Sequence, residues 1–451
     1  MKQMVREKKF YTQFFSMMAV LVLQNVITIS VNLADNMMLG AYSEMSLSGV
    51  AAVNQVQFIY QQILYAAGAG IVILGSQYFG RGEREPVKRV SAAAMRFALC
   101  LCLVLFIAAT TVPGLILSAF TDNGEVIAEG VRYMRVIRFT YPFFAVTQIL
   151  LGTLRSAGEV RIAFILSLIA LGVNCCMNYT LIFGHFGAPR LGVTGAAIGT
   201  LTARIVELIV LIVYLLKKEK LLQIRLADYV RTDRRLTADF FRVTWPMLVV
   251  QGLWGFNTAL QNAILGHMTV RAIAANSVAS TLFLLVKTMP IGSCDAASFL
   301  IGRTIGEGNE EKLKSYARTL QVLFLCVGIV GGVVLFFIRI PILKMYSLEP
   351  ETLEMANHFL LILSVITVTM SYQMPTNNGI IRGGGDTSFT MKLDLISIWG
   401  IVLPLSFIMA FVVKASPEIV VCCLNSDQVF KAVPAFIKAN YGHWAKKLTQ
   451  S

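Results

Sequence analysis

Apolar residues come along this chain in long runs, separated by short polar or charged segments. Most runs exceed the about 18 residues at which a stretch reads as a membrane-spanning helix and not as a strand or a core helix. Twelve spans are expected, at approximately 11–38, 47–78, 90–117, 127–153, 161–184, 192–216, 240–265, 273–302, 317–338, 353–380, 389–413 and 417–437. Several are longer than a bilayer requires, which tilt or extension beyond the hydrocarbon accommodates. The pattern predicts an all-α integral membrane protein.

The charge lies mostly between the runs. Lys2, Arg6, Lys8 and Lys9 precede the first span, and Arg81, Arg84, Lys88 and Arg89 follow the second. The segment 217–239 holds Lys217, Lys218, Lys220, Arg225, Arg231, Arg234 and Arg235. Arg303, Lys312 and Lys314 lie in 303–316, and Lys446 and Lys447 close the chain. With twelve spans all of these fall on one side, and the opposite segments are mostly short or acidic, as at Thr121-Asp122-Asn123-Gly124-Glu125. The positive-inside rule then predicts a multi-pass protein of the cell membrane with both termini cytoplasmic. Arg132, Arg135 and Arg138 run against the rule, toward the outer end of the fourth span. The opening MKQMVREKKF lacks a small-residue cleavage site and is read as a cytoplasmic lead into the first helix.

The two halves resemble each other. YFGRGEREPVKR around Gly80 answers to RTIGEGNEEKLK around Gly306, a shift of 226 residues. At nearly the same shift, GTLRSAGE (Gly152 to Glu159) answers to GIIRGGGD (Gly379 to Asp386), and Leu39-Gly40 to Leu265-Gly266. Three matches in register mark an internal duplication. The expected domains are therefore 1–225 and 226–451, each a six-helix bundle. An even number of spans per half makes the repeats parallel, related by an axis along the membrane normal, an arrangement suited to alternating access.

Composition agrees with this picture: 56% of the 451 residues are hydrophobic and 14% charged. A soluble domain would carry nearly twice that charged fraction. The net charge of +14 would suggest nucleic acid in a soluble protein, but here it follows from the basic loops, and no nucleic-acid partner is expected. The eight cysteines all lie in apolar stretches without ligand spacing and read as packing residues. His185, His267, His358 and His443 fall in loops or near span ends and form no metal motif. No phosphate-binding loop of the G-x-x-x-x-G-K-[ST] type occurs, so an ion gradient and not ATP is the expected energy source, with no cofactor.

Several segments suggest a family. Asp35-Asn-Met-Met-Leu-Gly40, Tyr78-Phe-Gly-Arg-Gly82, Leu154-Arg-Ser-Ala-Gly-Glu159, the run Gly192-Val-Thr-Gly-Ala-Ala-Ile-Gly-Thr200 and Ile381-Arg-Gly-Gly-Gly-Asp-Thr387 resemble those of multidrug and toxin extrusion (MATE) transporters of the MOP flippase superfamily. The similarity extends over nearly the whole chain. It implies two six-helix lobes around a central cavity, and export of organic, often cationic, compounds driven by entry of H⁺ or Na⁺.

A charge at the bilayer centre costs a few kcal/mol by insertion scales, so intramembrane acids come first as candidates. Asp35 follows the polar positions Gln24, Asn25 and Asn32 on the first span. It is either an end-of-helix aspartate near the headgroups or a carboxylate facing the lobe interior that takes up a cation in one state and releases it in the other. In the family, an aspartate matching Asp35 is the cation-coupling residue, a possible Na⁺ ligand. Asn174 and Asn178 share a face of the fifth span, and Thr200 lies on the sixth. These three join Asp35 as candidate ion ligands, or bond helix to helix. The family pattern often reads N-x-x-x-D on the fifth span, and Asn178 replaces that second acid. Some relatives carry a glutamate where Gln251 stands, and a proline where Val20 stands. Asp35 falls on Gln261 in the repeat, so coupling is expected to be asymmetric between the lobes.

Gln24, Asn32, Gln251, Asn257, Gln261 and Asp394 are candidates for the substrate cavity. Asp394 matches a family aspartate but lies near a loop where Lys392, Arg382 or water could neutralise it. Arg204 with Glu207, three apart, and Asp427 with Lys431, four apart, are placed to pair. Asp295 and Lys287, eight apart, could balance each other through an intervening group. Arg155 and Arg382 occupy equivalent turns and read as structural hinges or gate elements. The functional expectation is an antiporter for small organic substrates, working as a monomer among membrane lipids. A flippase for lipid-linked substrates is the alternative. It would be expected to show a strongly cationic cavity, and the deep basic residues here are few. No clustered nucleophile, base or metal set points to an enzyme.

Overall fold

The computed structural model describes residues 4–231, 233–266, 268–344 and 349–449, with the side chains of 226, 259, 262, 263, 266, 270 and 273 left aside. Lys2 and His267 lie outside the described residues. The elements are helices: α1 Lys8–Tyr42, α2 Glu44–Gly80, α3 Arg84–Thr111, α4 Pro113–Ser118, α5 Gly124–Ile137, α6 Thr140–Ser156, α7 Arg161–Phe183, α8 Val193–Lys217, α9 Arg234–Gly266, α10 Val270–Glu307, α11 Glu310–Leu343 and α12 Pro350–Pro375. α13 Thr387–Leu395 and α14 Leu403–Phe407 are joined by the π-helical turn Ile396–Val402 and followed by another at Ile408–Val412. α15 Pro417–Leu424, α16 Asp427–Phe430 and α17 Ala432–Tyr441 form the last span.

Among the described residues, ten helical spans are long and apolar enough to cross a membrane, and α5 with α6 makes an eleventh. α9 has the length of a span, at 33 residues, but interrupts its apolar run with Trp245, Gln251, Trp254, Asn257 and Gln261. Counted with it, the expected twelve spans are accounted for. Leu103, Val104, Phe337, Val365 and Val412 are exposed, as side chains facing lipid must be.

The fourth span is not the single helix expected at 127–153. α5 and α6 meet at 56° across Arg138 and Phe139. Pro142 has no N–H to give the carbonyl of Arg138, four residues earlier. That carbonyl accepts from Tyr141 N instead, at 3.2 Å, and Thr140 Oγ1 donates to the carbonyl of Ile137 at 2.6 Å. The π-helical turns near Pro375 and Pro404 mark the same difficulty resolved within one span. α1, with valine at position 20, is one helix of 35 residues.

The chain forms two compact units. One holds Leu23–Gly75 and Gly82–Thr244. The other holds Met1–Val22, Ser76–Arg81 and Trp245–Ser451, so the starts of α1 and the end of α2 pack with the second half of the sequence. In that unit the ring of Phe10 packs at a tilt against Tyr316 and that of Phe14 against Phe324.

Glycines set the closest helix contacts in each unit. A Cβ on Gly152 of α6 would lie 3.0 Å from Gly68 Cα of α2. Its repeat counterpart Gly379 would place one 3.3 Å from Cys294 Cα of α10. Gly68 and Cys294 are themselves 226 positions apart, so the duplication read in the sequence recurs as equivalent packing. Such small-residue contacts are how helices associate where lipid removes the hydrophobic driving force.

Candidate ion-coupling site

α8 opens with Gly192-Val-Thr-Gly-Ala-Ala-Ile-Gly-Thr200, which puts Gly195 and Gly199 one turn apart on one face. That face lies on α7: a Cβ on Gly195 would sit 2.6 Å from the carbonyl of Leu181, and one on Gly199 would collide with Asn178 Oδ1. The missing side chain at Gly199 is the space that Asn178 fills. Asn178 and Asn174 are fully buried there.

From this seat the amides build a chain of hydrogen bonds. Asn178 Nδ2 donates to Asp35 Oδ1 at 2.5 Å and lies 3.3 Å from Asn174 Oδ1, to which it also donates. Asn174 Nδ2 donates to Thr200 Oγ1 at 3.3 Å. The four residues named as ion-ligand candidates, from three separate helices, therefore form one connected group inside one unit. Asn178 Oδ1 has no hydrogen-bond partner although it is buried. An orphaned buried oxygen costs about 1–3 kcal/mol unless something fills its demand.

The neighbours of this group were legible only in part. Tyr133 of α5 lies beside Thr200 and Gln57. Arg204, one turn beyond Thr200 on α8, is within electrostatic reach of Asp35. Arg204 Nη1 pairs with Glu207 Oε2 at 2.7 Å, as the three-residue spacing suggested, and its guanidinium stands 4.9 Å from the centre of the Phe144 ring. Tyr133 gave no sequence signal, because a tyrosine in a basic amphipathic stretch reads as an interfacial anchor.

The remaining candidates are dispersed. Gln24 Oε1 accepts from Arg155 Nη2 at 3.3 Å, which ties the repeated turn arginine back to α1. Asn32 is exposed, one turn before Asp35. In the other unit Gln261 Nε2 donates to the buried Asn257 Oδ1 at 3.2 Å, and Gln251 is partly exposed on the same helix. Asp394 pairs with Lys431 at 2.8 Å, and not with Lys392 or Arg382. Lys431 also meets Asp427 at 3.0 Å, the four-residue pair expected. Lys287 stands 5.5 Å from the centre of the Trp254 ring and within electrostatic reach of Asp427, which attracts it, and of Lys431, which repels it. An apolar groove of about 400 Å³ lined by Leu260, Ile264, Trp399, Leu403, Phe407 and Ile408 holds none of the candidates.

Two bundles of membrane-crossing helices, repeated in sequence and packing, with a carboxylate anchored inside one of them, define a multi-pass membrane protein. The chain belongs to the MatE family, whose model matches residues 21–180 and 246–408. Among its relatives, the probable multidrug resistance protein NorM of Thermotoga maritima is 26% identical over 425 residues, covering 94% of this chain and 91% of that protein. The probable multidrug resistance protein YoeA of Bacillus subtilis is 26% identical over 410 residues, 87% of this chain and 86% of the relative. The fold is shared with a crystal structure of a MATE in complex with MaL6 (TM-score 0.86, 17% identity, 95% of each chain). It is shared equally with an outward-facing multidrug resistance MATE family transporter of the MOP superfamily (TM-score 0.86, 18% identity, 97% of this chain and 98% of that one).

Proposed function

We propose that this protein exports small organic compounds, cationic ones in particular, in exchange for H⁺ or Na⁺. The names of its relatives support multidrug efflux. The observation that carries the coupling is the Asp35–Asn178–Asn174–Thr200 group: a carboxylate without a salt-bridge partner among the described residues, unlike Glu207 in the same bundle, held by an amide donor and next to an unsatisfied oxygen. A carboxylate so placed is worth keeping in a membrane only if its charge is used. Taking up a cation from outside would neutralise Asp35, and releasing it inside would restore the charge, so the two lobes could rock between states with the ion and the substrate moving in opposite directions. Gln24, Asn32, Gln251, Asn257 and Gln261 are the proposed polar lining of the substrate path. The proposal includes the domain division near 225, a single chain as the working unit, surrounding lipid as its solvent, and a plasma-membrane setting with both termini cytoplasmic.

The flippase reading needs free positive charge for anionic lipid headgroups. Arg204 is paired with Glu207, and Lys431 with Asp394 and Asp427, which leaves the exporter reading better supported. The test is transport of a fluorescent organic cation in proteoliposomes under an imposed pH or Na⁺ gradient. Uptake that requires one gradient and Asp35 is expected; movement of lipid-linked saccharides without any cation transport would overturn the reading.

A further inference from the structure

The second unit holds a group of buried charges that the Asp35 mechanism does not use. Lys431 is nine-tenths or more buried, and its Nζ lies 2.8 Å from Asp394 Oδ1 and 3.0 Å from Asp427 Oδ2. Asp427 is buried, while Asp394 keeps about a quarter of its side chain exposed (26%) and so gives the group an opening. Asp427 Oδ2 also accepts from Gln428 Nε2 at 2.8 Å, Gln428 Oε1 accepts from Gln373 Nε2 at 2.7 Å, and Gln373 Oε1 from Asn377 Nδ2 at 3.1 Å. The amide chain ends at Asn377 Oδ1, which is buried without a partner. Lys287 of α10 is the other charge within reach.

Two carboxylates brought together in a membrane must be neutralised, by protons, by a bound metal cation or by a cation of the protein. Here the last holds. Asp394 comes from one span and Asp427 from the next, and the group between them is an ammonium on a flexible stem that sits where a monovalent ion bridging both carboxylates would sit. Among the described residues Lys431 alone touches both carboxylates.

We propose that Asp394 and Asp427 form a second monovalent-cation site, and that Lys431 occupies it as a tethered cation, closing this lobe to Na⁺ and leaving ion exchange to the lobe that carries Asp35. The proposal rests on the ion-coupled reading of this transporter and names the residue that makes the coupling one-sided. Removing the Lys431 ammonium leaves Asp394 and Asp427 without their shared counter-charge, a place that Na⁺ or Li⁺ then takes.

The experiment measures thermal unfolding of the purified full-length protein in detergent, in choline chloride against NaCl or LiCl at equal ionic strength. The variants are Lys431→Gln, Lys431→Gln with Asp427→Asn, and both again in an Asp35→Asn background. Binding to the folded state raises the melting temperature. K431Q is expected to unfold earlier than its parent in choline and to regain several degrees in NaCl, in both backgrounds, with the gain lost in K431Q/D427N. A folded K431Q whose melting temperature responds to Na⁺ no more than its parent overturns the proposal. A Na⁺ response of the parent that survives D35N counts against the Asp35 reading instead, and the difference between K431Q and its parent still decides this one. Should K431Q not fold, Lys431→Met replaces it in the same assay, since it keeps an unbranched side chain of similar length without the charge. Na⁺ stabilisation beyond that of the parent supports the tethered cation, and none overturns it.

Discussion

Asn178 makes the short hydrogen bond to Asp35, with Asn174 next in reach, so the amide at 178 is the main contact that presents that carboxylate. Asn178→Ala removes the donor and empties the seat beside Gly199. Intramembrane hydrogen bonds contribute about 0.6 kcal/mol on average, so folding should change little. Exchange should suffer more: the ion concentration for half-maximal transport is expected to rise about tenfold, the equivalent of roughly 1.4 kcal/mol, as read from initial rates at varied Na⁺ or pH. An unchanged ion dependence would take Asn178 out of the site. Arg204→Gln makes the opposite prediction. It strands Glu207, whose side chain is only 5% exposed, and breaking a buried pair on one side costs about 3–5 kcal/mol. A clear drop in melting temperature is expected, largely relieved by adding Glu207→Gln.

At the scale of elements, the site depends on how closely α8 can approach α7. Gly199→Val puts a branched side chain where Asn178 Oδ1 sits. The expected result is loss of ion-driven transport with the protein still folded, whereas Gly172→Ala, at an open position on α7, should be silent in the same assay. A second element-scale feature is the carboxy-terminal segment. Lys446 N donates to the carbonyl of Gly384 at 2.8 Å, Trp444 is buried against Gly384, and Gln77 donates to the carbonyl of Lys446 and accepts from Leu448 N. Asp386 fixes it through Lys446 at 2.8 Å and Lys438 at 2.9 Å. Burial alone would raise the Asp386 pKa, but hydrogen bonds from the two ammoniums hold it below its ordinary value of 3.8. The stabilisation is therefore complete above that value and is lost as pH falls through the lower pKa of the folded state. Hydrogen exchange of residues 442–449 should stay slow from neutral pH down to about 4 and accelerate below it. Asp386→Asn should show the fast exchange already at pH 7; slow exchange there would mean that Trp444 alone holds the segment.

For the whole molecule, spans, repeat and helical class were legible because each leaves a periodic or repeated trace in the sequence. Asp35, Asn174, Asn178 and Thr200 were legible as polar positions within spans too, since a polar group there has few reasons to be present. Three features were not. The bend between α5 and α6 needs Pro142 read together with the Arg138 carbonyl that it cannot serve and that Tyr141 N takes over, and a hydropathy run passes over a single proline. Asp394 was assigned nearby partners because sequence shows only neighbours in the chain, whereas Lys431 is 37 positions away. The packing of residues 4–22 and Ser76–Arg81 with the second half lies beyond any local signal.

One carboxylate, Asp35, is proposed to couple an ion gradient to export. The most direct measurement uses proteoliposomes carrying wild type or Asp35→Asn, a fluorescent organic cation, and a pH gradient or a Na⁺ gradient imposed separately. Transport that follows one gradient in wild type and disappears in Asp35→Asn, with both proteins melting alike, is the predicted result and identifies the ion. Transport of equal rate in Asp35→Asn would contradict the account and move the coupling site elsewhere in the chain.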